Sequence, residues 1–467
     1  MEVGAGLSMR RSAATVGRTK KERGMSEQWL WMSMGELGRG IAAGDIDPVA
    51  LTDTYLGAIK AHPLRDRVYA RLTEDRARAE AQAAAQRAKL GQRRGPLDGV
   101  PISWKDLFDT AGIATEAGSA LLEGRVPGKD AEVLRMATGM GTVCLGKTHM
   151  SELAFSGLGY NPVTETPPAL HDPEGVAGGS SSGAAASVAQ GLAPCGIGSD
   201  TGGSVRIPAV WNDLVGLKTT SGRLTLEGVV PLAARFDTVG PLCRSVEDAA
   251  LMLAAMEGTR AVDLRGARLD GARLMLLETV AMEEVRPAPL DGFSSAAARL
   301  EAAGTVVERR ALPLVTEAMG LAGALYTSEG YGTWEAEIEA APEKMFGEVR
   351  ERFRAGKTFS GPEFVHAWQR LEALRAEWAE ATAGYDPVIV PTAPSLPPNV
   401  ARLGSDTEYY VAENLLALRN TRIGNLMGLC ALTLPTGVPA TGLMLMAPPM
   451  AEERLLRLGA AAEAALS

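Results

Sequence analysis

Histidine and cysteine are scarce in this chain, with four of each in 467 residues. The cysteines are Cys144, Cys195, Cys243 and Cys430. None are close enough for a C-x-x-C pair, which removes zinc ribbons and dithiol centres. The histidines, His62, His149, His171 and His366, show no metal-motif spacing, so no metal site is expected. Cysteines this sparse suit a reducing compartment, and a cytoplasmic location is expected. No apolar run reaches the roughly 18 residues that cross a bilayer, so no membrane partner is expected. Positive charge is also short: 47 Lys and Arg against 56 Asp and Glu give a net charge of −9. Nucleic-acid binders show a basic patch or stripe, so no nucleic-acid partner is expected. The one basic stretch is at the start, where Arg10, Arg11, Arg18, Lys20, Lys21 and Arg23 face only Glu2 and Glu22. No apolar h-region follows, so this is not a secretory signal. Residues 1–24 are expected to be a disordered extension ahead of a start at Met25.

What is present suits a folded enzyme-sized chain. Hydrophobic content of 46% and charged content of 22% are ordinary for a globular protein and allow a large core. No internal repeat or interdomain linker is visible, so one large domain over residues 25–467 is favoured. Leu37–Ala43 and Val49–Ala61 read as amphipathic helices about a Gly44–Pro48 turn, and a third helix runs from Thr73 to Gly91. Gly99–Gly112 and Gly141–Leu153 each read as a short apolar strand leading into a polar stretch. Arg273–Glu278, Ser294–Ala303 and Thr305–Arg310 form a strand–helix–strand pattern. Residues 315–383 read as helical, with Trp368, Leu371, Leu374 and Trp378 as a core stripe. Short apolar runs at Pro387–Pro394, Ala431–Gly437 and Gly442–Pro449 return to strand. This alternation predicts an α/β fold around a sheet.

Two stretches carry the chemistry. In "VAGGSSSGAAASVAQGL" (Val176–Leu192), Gly179–Gly183 fits G-x-S-x-G with Ser181 at its centre. A nucleophile elbow needs a strand before that serine and a helix after it, then an acid and a histidine downstream. Ala184–Gln190 supplies a helix. The preceding "HDPEGVAGG" reads as loop, and the only later histidine, His366, lies on a helical stretch. The elbow reading fails. Gly196–Gly198 is too little for a dinucleotide fingerprint, and no Walker lysine appears, so no organic cofactor is expected.

The second stretch is "GSDTGGSVRIPA" (Gly198–Ala209). Glycine allows close backbone approach and positive φ, so successive N–H groups here can converge on developing negative charge. Ser204 at the end of the run is then a candidate nucleophile; the competing reading is a tight turn with a solvent-facing serine. A nucleophilic serine needs a base. Lysine can serve if burial keeps it neutral, and Lys105 sits in the apolar "VPISWKDLF". The competing reading is a lysine snorkelling from a strand end.

"PLDGVPISWKDLFDTAG", "AGGSSSGAAASVAQGLAPCGIGSDTGGSVRIPAVWNDLVGLKTTSGRL" and "FDTVGPLCRSVEDAALML" together resemble the amidase signature family of serine hydrolases. The resemblance runs from about Leu37 to the C-terminus, apart from the weakly patterned stretch 265–383. It implies a large single α/β domain, with a central twisted mixed sheet covered by helices on both faces. It further implies a Ser–cisSer–Lys triad. Ser204 is then the nucleophile, Ser180 the bridging serine after a cis Gly179–Ser180 peptide, and Lys105 the general base. The N–H groups of Thr201, Gly202, Gly203 and Ser204 match the family's oxyanion hole. Asp200 and Arg206 read as a supporting pair that holds the loop, and Ser181 as a supporting residue. Many members read G-G-S-S-G-G; Ser182 stands here at the fifth place and reads as a loop or helix-start hydrogen bonder. The implied activity is hydrolysis of a C–N amide-type bond through an acyl-enzyme. The substrate is a small molecule: aliphatic amides, aryl amides, urea-like compounds and carbamates stay open, and so does a homodimer. In this family the acyl pocket comes partly from the variable region, here about 265–383. Two rival readings are the A subunit of a tRNA-dependent amidotransferase and a non-catalytic binding module of the same fold.

Overall fold

The computed structural model describes residues 27–467; the N-terminal extension lies outside the described residues. Eleven strands among the described residues form one sheet. In chain order they are β1 (Tyr69–Leu72), β2 (Pro101–Lys105), β3 (Val143–Thr148), β4 (Cys195–Ser199), β5 (Val215–Lys218) and β6 (Val239–Cys243). There follow β7 (Arg273–Leu277), β8 (Val306–Arg310), β9 (Val388–Pro391), β10 (Cys430–Pro435) and β11 (Gly442–Ala447). The spatial order is β1-β3-β2-β4-β6-β5-β10-β11-β9-β7-β8. β2 runs parallel to both β3 and β4, and β7 is parallel to β8 and β9, while the central β4–β6–β5–β10–β11–β9 run is antiparallel. The sheet is therefore mixed, and helices cover both sides, as the sequence predicts.

Burial follows the strand chemistry. β2, β3, β4, β5, β6, β9 and β11 are buried along their whole length, which matches near-continuous apolar or small-residue strands covered on both faces. β8 ends the sheet with "VVERR", largely solvent-facing. Charged side chains of this kind blunt an open edge against pairing with other chains.

The helices begin where the sequence supplies caps. Ser33 and Glu36 form a capping box at Met34–Ala43, and Asp47 caps Pro48–Ala61 with Pro48 in the first turn. The helix expected over Ser294–Ala303 runs from Pro287 to Ala302. Its prolines sit in the first turn, where their missing N–H costs nothing. Four strands escape the sequence reading: β1, β4, β5 and β6. "VGLK" and "VGPLC" carry glycine and proline, which weaken strand signals, yet they are β5 and β6. At Gly240 a Cβ would meet the Leu217 carbonyl oxygen at 1.8 Å, so only glycine permits this contact between the two strands. Trp368, Leu371, Leu374 and Trp378 are buried, on the helix Gly361–Thr382. His366 is on the exposed face of that helix. No described helix is long and apolar enough to cross a membrane.

Candidate active site

Lys105 is the last residue of β2 and Ser199 the last of β4. The two strands are adjacent and parallel, with Trp104 opposite Ile197, so their C-terminal ends meet. Lys105 Nζ donates to Ser199 Oγ at 2.8 Å and to Ser180 Oγ at 2.6 Å. Ser180 lies 75 positions away in the chain. It reaches the strand ends because the helix Ser182–Ala189, which follows it, packs directly on β4 and β2. That packing depends on small residues: a Cβ at Gly196 would meet the Ala184 carbonyl oxygen at 2.6 Å.

Two other lysines are buried among the described residues, and they contrast with Lys105. Lys147 on β3 donates to Thr115 Oγ1 at 2.9 Å and faces Asp106 at 3.3 Å. Lys218 on β5 donates to the carbonyls of Thr219 and Leu429. Lys105 alone of the three contacts serine hydroxyls. Burial pushes its ammonium down to about 7, while the carboxylates of Asp237 and Asp200 act in the opposite direction. A side chain with that value is substantially neutral near pH 7.

The loop after β4 presents Ser204. Ser181 N–H donates to the Ser204 carbonyl at 3.2 Å, which ties the two serine stretches together. The Gly179–Ser180 peptide is cis. Gly179 N–H donates to the Gly157 carbonyl, and Ser151 N–H to that of Ser180. Ser181, the centre of the apparent elbow motif, donates its hydroxyl to the Ser199 carbonyl at 3.3 Å. No strand precedes it. Ser182 opens the following helix, with its hydroxyl 3.5 Å from the His149 carbonyl.

Asp200 and Arg206 organise the same loop. They form a fully buried ion pair, Arg206 Nη2 to Asp200 Oδ1 at 2.9 Å and Nε to Oδ2 at 3.0 Å. Asp200 also accepts from the N–H groups of Gly203 and Val205 and from Asn425 Nδ2. Burial opposes its ionisation, but the Arg206 charge and hydrogen bonds outweigh burial and hold the carboxyl well below the usual range. Arg206 spends its remaining N–H groups on the Thr421 carbonyl and Asn425 Oδ1. It does not reach the cavity.

Of the four N–H groups expected to face an oxyanion, that of Gly203 is engaged by Asp200 Oδ1 at 2.9 Å. Those of Thr201, Gly202 and Ser204 have no hydrogen-bond partner among the described residues. Gly203 adopts φ +138°, and a Cβ there would lie 2.0 Å from Thr421 Oγ1. Thr201 Oγ1 donates to Asp237, and Thr421 Oγ1 to the Gly202 carbonyl, so both flanks of the loop are pinned.

Ser204, Thr201 and Gly202 line a small cavity. Its other walls include Phe155, Leu232, Tyr326, Arg352, Leu418 and Arg422. Tyr326 and Arg352 come from the 265–383 stretch. Leu418 and Arg422 lie outside it, on the helix Thr407–Leu426. The sequence reading names none of these side chains. Arginines in "VRERFRAG" and "LALRNTRIGN" carry no spacing that separates a cavity wall from a solvated helix face.

Comparison with known proteins finds relatives along nearly the whole chain. The family model described as Amidase matches residues 50–456. A 2-amino-5-chloromuconic acid deaminase from Comamonas testosteroni is 37% identical, over 93% of this chain and 96% of its own. The A subunit of a glutamyl-tRNA(Gln) amidotransferase from Anaeromyxobacter sp. (strain K) is 33% identical, over 92% of this chain and 96% of its own. A solved crystal structure of an amidase superposes with a TM-score of 0.83 at 32% identity, covering 93% of this chain and all of that one. The chain belongs to the amidase, or amidase signature, family.

Proposed function

We propose that the chain hydrolyses an amide-type C–N bond of a small molecule by way of an acyl-enzyme on Ser204. The observation that carries this reading is Lys105: buried, shifted far toward its neutral form, and hydrogen-bonded to the Ser180 hydroxyl. Ser204 Oγ attacks the carbonyl carbon and forms a C–O bond. A hydroxyl donates and accepts at once, so Ser180 takes the Ser204 proton while passing its own to Lys105 Nζ. The oxyanion faces the free N–H groups of Thr201, Gly202 and Ser204. Fixed donors aimed at developing charge make the greatest single contribution in many acyl transfers. The C–N bond then breaks, and the leaving amine takes the proton back through Ser180. Water repeats the sequence on the acyl-enzyme and releases the acid. The Comamonas testosteroni relative is named a 2-amino-5-chloromuconic acid deaminase, a name for C–N cleavage that supports the same reading here.

The test is labelling of the full chain with a fluorophosphonate, with the modified peptide mapped by mass spectrometry. Rapid modification of Ser204, lost in Ser204→Ala, together with ammonia or amine release from an amide panel, is expected. A folded protein that takes no label and hydrolyses nothing would leave a binding module of the same fold. The 33% identity to an amidotransferase component supports a second reading, in which ammonia is passed on within an assembly. Co-purification of partner subunits with glutamine-dependent transfer would establish it.

A further inference from the structure

The cavity at Ser204 is positively charged, and nothing in its wall balances that charge. Arg352, on the helix Gly347–Arg354, donates one Nη1 hydrogen bond to the Phe155 carbonyl at 3.0 Å and lies 4.3 Å over the Phe155 ring. It has no carboxylate partner within ion-pair distance among the described residues. Arg422 has neither a hydrogen bond nor an ion pair there. No Asp or Glu is among the lining residues. Arginine cannot shed its charge at any ordinary pH, and a cation withdrawn from water is costly unless an anion meets it. Burial, and then repulsion from Arg422, push Arg352 down to about 10. A third group points the same way. Tyr326 is buried, lines the same cavity and has a hydroxyl with no hydrogen-bond partner among the described residues. Buried polar groups are nearly always satisfied, so such an orphan needs an explanation.

We infer that this cavity selects amides whose acyl part carries a second, free carboxylate, taken by Arg352 and Arg422 with Tyr326 as a further donor. The substrate class is the monoamide of a small dicarboxylic acid. The inference rests on reading Ser204 as the acylated residue, because the carboxylate is placed relative to it. Guanidinium–carboxylate pairing supplies directional, charge-assisted hydrogen bonds. The open space between these walls is small, so the acid is short. The same wall discriminates against glutamine. An α-ammonium would enter beside two guanidiniums, and the apolar Leu418 and Leu232 offer it no acceptor.

The test uses matched amides on the purified full chain. Glutaramate and glutaramide are isosteric and differ in one charge, and glutaramate and L-glutamine differ in the α-ammonium; succinamate and succinamide repeat the first comparison one carbon shorter. The acid amide is expected to exceed its diamide in kcat/KM by roughly 10- to 100-fold, the range for hydrogen bonds to charged groups, with most of the gain in KM. L-Glutamine should fall well below glutaramate. Arg422→Gln should collapse the preference at least tenfold, and Arg422→Lys should retain part of it. Equal rates on acid amide and diamide, or a preference untouched in Arg422→Gln, would overturn the inference.

A second arm needs no turnover. Ser204→Ala should bind glutarate by calorimetry more tightly than glutaramide, and adding Arg422→Gln should abolish the difference. Inorganic phosphate binding as well as glutarate would overturn the inference by showing an unselective anion site. Glutarate bound through Arg422 in a protein that neither labels at Ser204 nor cleaves amides would defeat the triad reading and leave the carboxylate site standing. A labelled, active enzyme indifferent to the carboxylate would do the reverse.

Discussion

Replacing Lys105 with methionine removes the charge at nearly constant side-chain length and tests the centre of the mechanism. An ordinary lysine titrates at 10.5, and Lys105 is brought to about 7. The difference favours the neutral amine by about 5 kcal/mol relative to a solvated lysine. At pH 7 about half of the side chain is then ready to accept a proton, against roughly one part in 3,000 in water. The sign follows directly. Below pH 7 Lys105 is an ammonium and cannot take the proton, so kcat/KM should fall about tenfold per pH unit there. Above pH 8 it should level off. A wild-type limb near pH 7 does not identify the lysine by itself, because burial also pushes Glu152 and Glu463 up to about 7. The variant decides. Lys105→Met should lower kcat/KM by roughly 10²–10⁴ or more, the range for general acid–base groups, and its residual activity should lose the limb. The assay is ammonia release from a good amide between pH 5.5 and 9. A slowed variant with the same limb at the same pH would show that another group titrates. Near-normal turnover at neutral pH would refute the assignment of Lys105 altogether.

Ser180→Ala should cost orders of magnitude in kcat while Ser181→Ala costs far less, because of these two hydroxyls it is that of Ser180 that meets Lys105; steady-state kinetics in which Ser181→Ala is the worse variant would reverse the two roles. Asp200→Asn leaves Arg206 buried beside a neutral partner, and breaking a buried pair by losing one partner costs roughly 3–5 kcal/mol; denaturant unfolding should show a loss on that scale, and a change under about 1 kcal/mol would mean that the pair does not hold the loop.

The strand carrying Lys105 and the glycine-rich run leading to Ser204 are legible in the sequence because each breaks a local rule. A lone lysine in an apolar strand and a serine behind two glycines both call for a reason. Their meeting is not local. Lys105 meets Ser199 through the parallel pairing of β2 with β4, and Ser180 through the packing of helix Ser182–Ala189 on those strands, and nothing in any one segment alone predicts this. The N–H groups proposed as oxyanion donors show the same limit. Thr201, Gly202, Gly203 and Ser204 look equivalent in sequence, but Asp200 engages the N–H of Gly203 and leaves the others unpartnered. β5 and β6 were hidden because their glycines, which permit close strand contact, are also the residues that weaken a strand pattern. Arg352, Arg422 and Tyr326 were hidden for the opposite reason. Each sits in an ordinary helix, and only tertiary packing turns these side chains toward a common cavity.

The hydrogen bonding of the Ser204 loop explains why substrate recognition is assigned to those helices. Asp200 is met by Arg206, Asn425 and two backbone N–H groups, and Arg206 has Nε, Nη1 and Nη2 all engaged. A charged pair this fully satisfied has nothing left to offer a ligand, and disturbing it would expose an unpaired buried charge. Its contribution is to hold fixed the backbone whose N–H groups face the cavity. The unpaired charge at the site comes instead from Arg352 and Arg422, on helices that contribute no residue to the proposed Ser204–Ser180–Lys105 triad. Preorganised sites need a rigid supporting shell, whereas cavity walls can vary without moving that shell. Exchanging either arginine should therefore alter which acid is accepted while leaving the Lys105–Ser180 contact intact.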